Sequence, residues 1–234
     1  MPVDRELLPA FLEMLGPSSR AATLAAAQTM RLPKGAVLFR HGEAGGGLYE
    51  VAAGKVKLSR LPGESPEHPA NRHESLLLLV GPGQLFGELA AFDGGPRSAT
   101  AVAVTPVVVR YYAPAALDTL IRAHVDVGYA ILRHVTYRLR FTLERTHDIQ
   151  VHDRSVRLAK AILLLSQRFG ERRGGYLVVR HDLTQGELGG LTGLSRETVS
   201  KVLAELAAQG LVRNRSGQVV ILDEEGLRAI AGSS

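Results

Sequence analysis

The spacing of apolar residues changes along the chain and marks its organisation. Residues 4–28 carry apolar side chains three or four positions apart, a helical pattern interrupted at Gly16-Pro17. From Met30 to Tyr112 short apolar runs alternate with polar ones, and glycine or proline recurs every few residues, which predicts strands and turns. From Pro114 to about Val151 there is no further proline and a single glycine, which predicts one long helix.

The strand-rich part contains six runs of strand length, at 36–39, 48–51, 56–61, 75–80, 99–104 and 107–111. Turns are expected at 53–54 and 81–83, and the segment 62–74, rich in proline, glutamate and histidine, is expected to be a loop that extends a hairpin. Many short strands with frequent turns predict a sandwich or a barrel.

The long helix carries a heptad stripe with alternating spacings of three and four. The stripe is apolar except for two threonines and consists of Leu132, Val135, Leu139, Thr142, Thr146 and Ile149. A stripe sustained over about three heptads predicts packing against a second copy of the same helix. The alternative is a helix that lies on its own domain.

The chain is expected to break near residues 151–153. Asp153 or Ser155 is placed to cap a following helix over 156–168. Residues 170–175 are then predicted to be a turn, and 176–180 a short strand.

The sequence TQGELGGLTGLSRETVSKVLAEL, which begins at Thr184, has the pattern of a helix-turn-helix. Asp182 or Thr184 can cap the first helix, and Glu187 stands three residues after Thr184, as a capping box requires. Gly193 occupies the tight turn, where positive φ is needed, and Ser195 can cap the second helix.

The outward face of that second helix carries Arg196, Glu197, Ser200 and Lys201. In a helix-turn-helix this face enters the major groove, where arginine suits guanine and glutamate can accept from cytosine. The alternative is that Glu197 and Lys201 form only a surface ion pair. The stretch 210–222 is predicted to be the hairpin of a winged helix, whose Arg213 and Arg215 can touch phosphates. The full set of expected DNA contacts is Thr184, Gln185, Ser195, Arg196, Glu197, Ser200, Lys201 and Arg215.

A second set of polar residues lies in FGELAAFDGGPRSATA, residues 86–101. Gly87 allows close backbone approach, and Glu88 is an acceptor for hydroxyl groups. Arg97 offers a fork for phosphate, which Ser98 and the backbone N–H groups of Ser98 and Ala99 can complete. These groups suit a sugar phosphate, although an Arg97–Glu88 salt bridge that holds a turn explains them equally well.

Composition limits the classes of function. The net charge is +5, and the last 81 residues hold 12 basic against 8 acidic side chains, which suits contact with a polyanion but also fits a basic solvated surface. The chain has no cysteine, which excludes disulfides, thiolate catalysis and Cys-bound metals. The eight histidines have no metal-ligand spacing, so no metal site or prosthetic group is expected. No apolar run is long enough to cross a membrane and no secretory signal is evident, so we expect a cytoplasmic protein that does not bind membranes.

The two motifs together resemble the Crp/Fnr family of bacterial regulators, and within it the branch that responds to cyclic AMP. The resemblance rests on Gly87-Glu88-Leu89 with Pro96 to Thr100, and on the five residues Ser195 to Val199. It implies an α+β fold with an N-terminal β-roll (a jelly roll like those that bind cyclic nucleotides), a long dimerisation helix and a C-terminal winged helix-turn-helix. The expected domains are 1–113, 114–152 and 153–234.

The resemblance also implies roles for individual residues. Glu88 would bind the ribose 2′-OH, Arg97 and Ser98 the cyclic phosphate, and Thr142 the adenine across a dimer. The complete implied ligand set is Gly87, Glu88, Leu89, Arg97, Ser98, Ala99 and Thr142. Leu143 stands where the cyclic AMP branch has a serine. The resemblance also implies a DNA half-site similar to TGTGA. Lys201 stands where an arginine is usual, which leaves the base that it reads undetermined.

The sequence therefore predicts a homodimeric, DNA-binding transcription regulator that is switched by cyclic AMP and contacts RNA polymerase. Three alternatives stay open: a regulator of the same fold that needs no effector, an enzyme acting on a cyclic nucleotide, and a module whose helix-turn-helix binds protein. The enzyme is disfavoured because such chemistry normally recruits metal ions, for which no ligand set is present.

Overall fold

The computed structural model describes residues 8–60 and 75–232. These residues belong to two compact units, one formed by residues 8–60 and 77–140 and the other by residues 75–76 and 141–232. The predicted loop over 62–74 and the part of the N-terminal helical pattern before residue 8 lie outside the described residues.

The first unit contains two four-stranded sheets whose recorded strand pairings are antiparallel. One sheet has the order β1-β8-β3-β6, with β1 Gln28–Leu32, β3 Leu48–Ala53, β6 Leu85–Phe86 and β8 Val107–Tyr112. The other has the order β2-β7-β4-β5, with β2 Val37–Phe39, β4 Val56–Arg60, β5 Ser75–Val80 and β7 Thr100–Ala103. The first two residues of β5 are those assigned to the second unit. All six predicted strands are confirmed to within two residues, whereas β1 and the two-residue β6 escaped the prediction.

Helices pack against the sheet that contains β3, β6 and β8. They are a 3-10 turn at Phe11–Met14, α1 Pro17–Ala26, α2 Glu88–Asp93, α3 Pro114–Ala123 and the start of α4, Val125–Val151. Their apolar faces meet the sheet in one cluster that includes Phe11, Leu48, Tyr112, Leu120 and Ile131, all at most 6% exposed. Burial of such side chains supplies the main driving force for this packing.

The long helix is confirmed over Val125–Val151, but the prediction that it begins at Pro114 is wrong, because Pro114–Ala123 forms a separate helix. His124 takes an extended conformation, with φ −137° and ψ 96°, and separates α3 from α4. Asp126, in the first turn of α4, accepts hydrogen bonds from the Gly16 backbone N–H and from the Ser19 hydroxyl. Gly16 and Ser19 lie more than 100 residues from Asp126 in the sequence. The local pattern has no proline or glycine at the break, so it could not reveal that the helix is interrupted at His124.

The second unit is a helical domain with a four-stranded sheet. Its elements are α5 Arg154–Phe169, β9 Gly170–Arg173, β10 Tyr176–Arg180, α6 Gln185–Thr192, α7 Arg196–Ala208, β11 Val212–Arg215, β12 Gln218–Ile221 and α8 Glu224–Gly232. The antiparallel sheet has the order β11-β12-β10-β9. The core includes Leu158, Ile162, Leu188, Val199 and Leu203, each at most 2% exposed.

The prediction that residues 170–175 form a turn is wrong for its first four residues. Gly170–Arg173 pairs with β10, and the turn is reduced to Gly174-Gly175, both with positive φ. A Cβ on Gly170 would lie 2.2 Å from the Ser166 carbonyl oxygen, so this glycine serves a close approach between α5 and β9 rather than a turn.

Candidate nucleic-acid interface and ligand pocket

The helix-turn-helix is capped as its sequence predicts. Thr184 Oγ1 accepts from the Glu187 N–H at 3.2 Å, and the Glu187 carboxylate accepts from the Thr184 N–H at 2.6 Å. Of the two predicted caps, Thr184 is therefore the one used, while Asp182 adopts a positive φ of 58°. Ser195 Oγ accepts from the Thr198 N–H at 3.1 Å and caps α7.

Glycine allows α6 and α7 to cross closely. A Cβ on Gly189 would lie 2.4 Å from the Leu194 carbonyl oxygen, a distance that real side chains do not show. Gly193 has φ 67° and ends α6 in the left-handed conformation that favours glycine. These two residues fix the angle at which α7 leaves the turn.

Helix α7 has one buried and one exposed face. Val199, Val202, Leu203 and Leu206 are at most 2% exposed and pack into the domain. The opposite face exposes Arg196, Glu197, Ser200 and Lys201. Four side chains that can form hydrogen bonds thus project from the first turns of a helix held rigidly by its other face.

The remaining predicted DNA contacts lie in the same unit. Thr184 and Ser195 are exposed N-caps, and Gln185 is partly exposed at the start of α6. Strands β11 and β12 form the predicted wing, with Arg213 and Arg215 exposed on β11.

Two arginines outside the predicted set of DNA contacts hold the C-terminal end of α6. Arg145 Nη2 donates to the Gly190 carbonyl at 2.7 Å, and Arg157 Nη1 donates to the Thr192 and Gly193 carbonyls at 3.3 and 3.4 Å. Cations suit a helix C-terminus, where carbonyl groups have no helical partner. Their distance in sequence from α6 gave no local signal.

The ligand motif forms one pocket in the first unit. It encompasses about 280 Å³, part of which is open to solvent, and it is lined by Phe39, Leu58, Gly87, Glu88, Leu89, Ala90, Arg97, Ser98 and Ala99. Six of the seven predicted ligand residues therefore line the same pocket. The seventh, Thr142, is exposed on the part of α4 that belongs to the second unit.

The Arg97 side chain points into the β-roll. It is 4% exposed, and its Nη1 donates to the Gly47 and Gly87 carbonyls at 2.9 and 3.0 Å. Its guanidinium lies over the rings of Phe39 and Tyr49, at 4.4 and 5.4 Å from their centres. Burial raises the pKa of Tyr49, while the positive charge of Arg97 opposes that rise.

Glu88 does not pair with Arg97, so the alternative of a salt bridge between them is wrong. Its carboxylate instead accepts from Arg138 Nη1 of α4 at 2.8 Å. Arg138 also donates to the Leu85 carbonyl oxygen. Arg138 lies 50 residues from Glu88 in the chain, so no local sequence pattern indicates this pair.

Two glycines make room for Arg97. A Cβ on Gly45 would lie 2.4 Å from Arg97 Nε, and one on Gly87 would lie 2.6 Å from its Nη1. The run Gly45-Gly46-Gly47 was the available signal for this close approach, but a glycine run between predicted strands is equally typical of a turn.

A buried acidic group lies in the same β-roll. Glu50 of β3 is 2% exposed and accepts from Arg110 Nη1 and from the Tyr112 hydroxyl, each at 2.9 Å. Burial raises the pKa of the Glu50 carboxyl, and the hydrogen bond from Tyr112 and the charge of Arg110 oppose that rise only in part. Burial and the nearby Glu50 also raise the pKa of Tyr112.

The surface of α4 carries an apolar stripe. Val125, Tyr129, Leu132, Leu139 and Leu143 are 56–82% exposed. Of the other residues in the predicted seam, Thr142, Thr146 and Ile149 are also exposed, whereas Val135 packs against the core of its own unit. The exposed face is thus turned slightly from the predicted one and takes in Leu143.

Two absences apply to the part of the chain that the structure describes. No group of three histidine, aspartate or glutamate side chains within 8–60 and 75–232 could hold a metal ion. Over the same ranges, every helix is too short or too polar to span a membrane.

Comparison with family models matches most of the chain. Residues 29–124 match the cyclic nucleotide-binding domain, and residues 156–230 match the Crp-like helix-turn-helix domain. The first match contains the pocket of Arg97 and Glu88, and the second contains α6, α7 and the wing.

Individual proteins are similar over nearly the full length. A CRP-like cAMP-activated global transcriptional regulator of Mycobacterium tuberculosis is 40% identical over 90% of this chain and 91% of its own. The cyclic AMP receptor protein of Thermus thermophilus is 35% identical over 93% and 94%. The crystal structure of a CRP/FNR-family regulator from the same organism, 29% identical, superposes with a TM-score of 0.69 over 88% of this chain and 99% of that one.

Proposed function

Because this chain belongs to the Crp/Fnr family of DNA-binding transcription regulators, we propose that it acts as a homodimer that reads a palindromic duplex under the control of cyclic AMP. The similar proteins are transcription regulators and not enzymes, which removes the alternative of an enzyme acting on a cyclic nucleotide. Transcriptional control in this scheme includes a contact with RNA polymerase, which co-purification with the polymerase would test.

The two-faced α7 carries the proposal of sequence reading. Arg196 can bind guanine O6 and N7 through both ends of its guanidinium, and Glu197 can accept from cytosine N4. A carboxylate near phosphates weakens binding, so Glu197 is useful only for discrimination between bases. We infer a half-site that resembles TGTGA, with Lys201 giving a weaker contact than an arginine fork.

The exposed stripe of α4 supports the proposed dimer. Leu132, Leu139 and Leu143 recur at heptad-like spacing and expose more than half of their surface. A helix buries such a stripe most readily against a second copy of itself. Two recognition helices related by a twofold axis would then reach half-sites about 34–36 Å apart.

The pocket around Ser98 and Arg97 supports a phosphate-bearing effector. Its backbone and hydroxyl donors suit a cyclic phosphate, and Glu88 suits a ribose hydroxyl. The similar regulator of Mycobacterium tuberculosis is cAMP-activated and that of Thermus thermophilus is a cyclic AMP receptor, which supports cyclic AMP as the ligand here. Thr142 would supply a contact to the base, and Leu143 would not.

A second candidate is a regulator that binds DNA without an effector. The observation that favours it is that Arg97 and Glu88 already have protein partners, in the Gly47 and Gly87 carbonyls and in Arg138. A ligand gains only the difference between its own contacts and those that it replaces.

Calorimetric titration with cyclic AMP and cyclic GMP, followed by duplex binding with and without the tighter nucleotide, separates the two candidates. We expect cyclic AMP to bind and to raise DNA affinity, and Arg97→Ala to abolish this response while the melting curve keeps its shape. Arg122→Ala, on the exposed side of α3, serves as the control and should respond as the parent does. DNA affinity that is unchanged by every nucleotide would favour the effector-independent regulator.

A further inference from the structure

A cleft in the second unit lies between the end of α4, the helix α5 and the C-terminal end of α6. It has a volume of about 420 Å³, part of which is open to solvent. All of its lining residues belong to this unit, so the cleft is distinct from the pocket of Arg97 in the first unit.

Basic groups dominate the polar part of the cleft. Arg145, Arg157 and Lys160 line it, against one carboxylate, Asp148. That carboxylate is shared, because it lies 2.8 Å from Lys160 Nζ and 3.4 Å from His152 Nε2. Burial and the nearby Lys160 lower the pKa of His152, so the imidazole is neutral at pH 7 and adds no positive charge.

Arg157 has unused hydrogen-bonding capacity. Its Nη1 makes the two long contacts to α6 carbonyls, while its Nε is buried and has no hydrogen-bond partner. No carboxylate within residues 8–60 and 75–232 lies within ion-pair distance of it. Because Nη1 makes only two long contacts, the guanidinium keeps donor capacity for an anion in the cleft.

The rest of the wall is apolar. Phe141, Ile149, Ala161, Leu164 and Leu191 line the cleft opposite the cations. A bare inorganic anion would leave this surface against water, whereas a ligand with a short apolar body would cover it.

We propose that this cleft binds a small organic anion, a carboxylate attached to a short apolar body. The carboxylate lies against Arg157 and Lys160, and the apolar body lies against Phe141 and Leu191. Because Arg157 also contacts the end of α6, the occupied cleft joins the long helix, α5 and the first helix of the helix-turn-helix through one ligand.

Benzoate and its neutral analogue benzamide, titrated into the full-length protein by calorimetry, test the proposal. We expect benzoate to bind at least about tenfold more tightly than benzamide, since only benzoate can pair with the cations. Arg157→Met should lower benzoate affinity by about tenfold or more. Arg154→Met, on the same helix but outside the cleft, should not change it.

Further variants test whether benzoate binds in this cleft and not in the nucleotide pocket. Benzoate affinity should be unchanged in Arg97→Ala, which separates this cleft from the nucleotide pocket and from the proposed effector response. Lys160→Met should weaken binding as Arg157→Met does, and it replaces that variant if Arg157→Met does not fold. Equal binding of benzoate and benzamide, no binding up to about 10 mM, or inorganic phosphate binding as tightly as benzoate would each overturn the proposal.

Discussion

Gly189 lies where the two helices of the helix-turn-helix cross, and a Cβ there would meet the Leu194 carbonyl oxygen at 2.4 Å. Gly189→Ala is expected to lower the free energy of unfolding by about 1–3 kcal/mol, because one backbone must move away from the other. Gly186→Ala is the matched control in the same helix, where the nearest atom to a Cβ is Thr184 Oγ1 at 3.9 Å. Urea unfolding of both variants measures the difference, and equal effects would contradict the close approach.

Glu50 gives a residue-scale prediction for pH. Its folded pKa lies above the ordinary value of 4.5, so the folded state retains this proton at pH values where the unfolded state has lost it. The contribution of Glu50 to stability is therefore present in full below pH 4.5 and is lost as pH rises through the folded pKa. This is opposite in sign to a carboxylate whose pKa is lowered by an ion pair.

Glu50→Gln removes that titration and keeps the shape of the side chain. We expect the unfolding free energy of the parent, minus that of the variant, to fall as pH rises from about 4 to 7. Denaturant unfolding across this range gives the difference directly. A difference that is flat or rises with pH would show that burial does not dominate at Glu50.

At the scale of the element, one face of α4 packs against its own unit and another is exposed for the proposed dimer. Leu143 is exposed in the apolar stripe, whereas Val135 packs against the core of its own unit. Leu143→Lys is expected to dissociate the proposed dimer with little change in subunit folding. Val135→Ala is expected to reduce stability by about 1 kcal/mol and to leave the dimer intact.

Sedimentation velocity and thermal unfolding of both variants check this assignment. If Val135→Ala dissociated the dimer and Leu143→Lys did not, the dimer would use the seam predicted from the sequence. A parent protein that is monomeric at all working concentrations would exclude the dimer altogether.

The sequence predicts the elements that depend on neighbouring residues better than those that depend on distant ones. Elements whose signals are local, such as the Thr184–Glu187 capping box and the alternating strands, were predicted to within about two residues. The break at His124 and the pairing of Gly170–Arg173 were not, because they depend on partners distant in the chain. The pocket residues within 86–101 were found for the same local reason, while Arg138 and Gly45 approach them only through the fold.

At the scale of the whole molecule, the predicted DNA-binding surface of the second unit exposes Arg196, Lys201, Arg213 and Arg215. Arg196 is exposed on α7 and Arg213 on the wing. We expect Arg196 to contact bases and Arg213 to contact phosphates. Arg196→Ala is expected to cost about 1–3 kcal/mol on the preferred site and to relax discrimination at one base pair. Arg213→Ala should weaken binding to all duplexes alike and reduce the slope of log K against log salt by about 1.

Fluorescence anisotropy with a palindromic duplex and a scrambled duplex, at several salt concentrations, measures both effects. If Arg196→Ala weakened the two duplexes equally, α7 would touch phosphates and not bases. If the salt slope did not change in Arg213→Ala, the wing would not lie against the DNA backbone.

The carboxylate of Glu88 has two roles, because it pairs with Arg138 of α4 and also lines the ligand pocket. One oxygen of Glu88 anchors α4 through Arg138 at 2.8 Å, and the same group borders the pocket. A hydroxyl that enters the pocket and donates to Glu88 would weaken the attraction of this carboxylate for Arg138, so we expect occupancy of the pocket to change how firmly α4 is held, in addition to any contact from Thr142. Glu88→Gln, which removes the negative charge and keeps the size of the side chain, is expected to weaken the coupling between the pocket and the long helix while both stay folded.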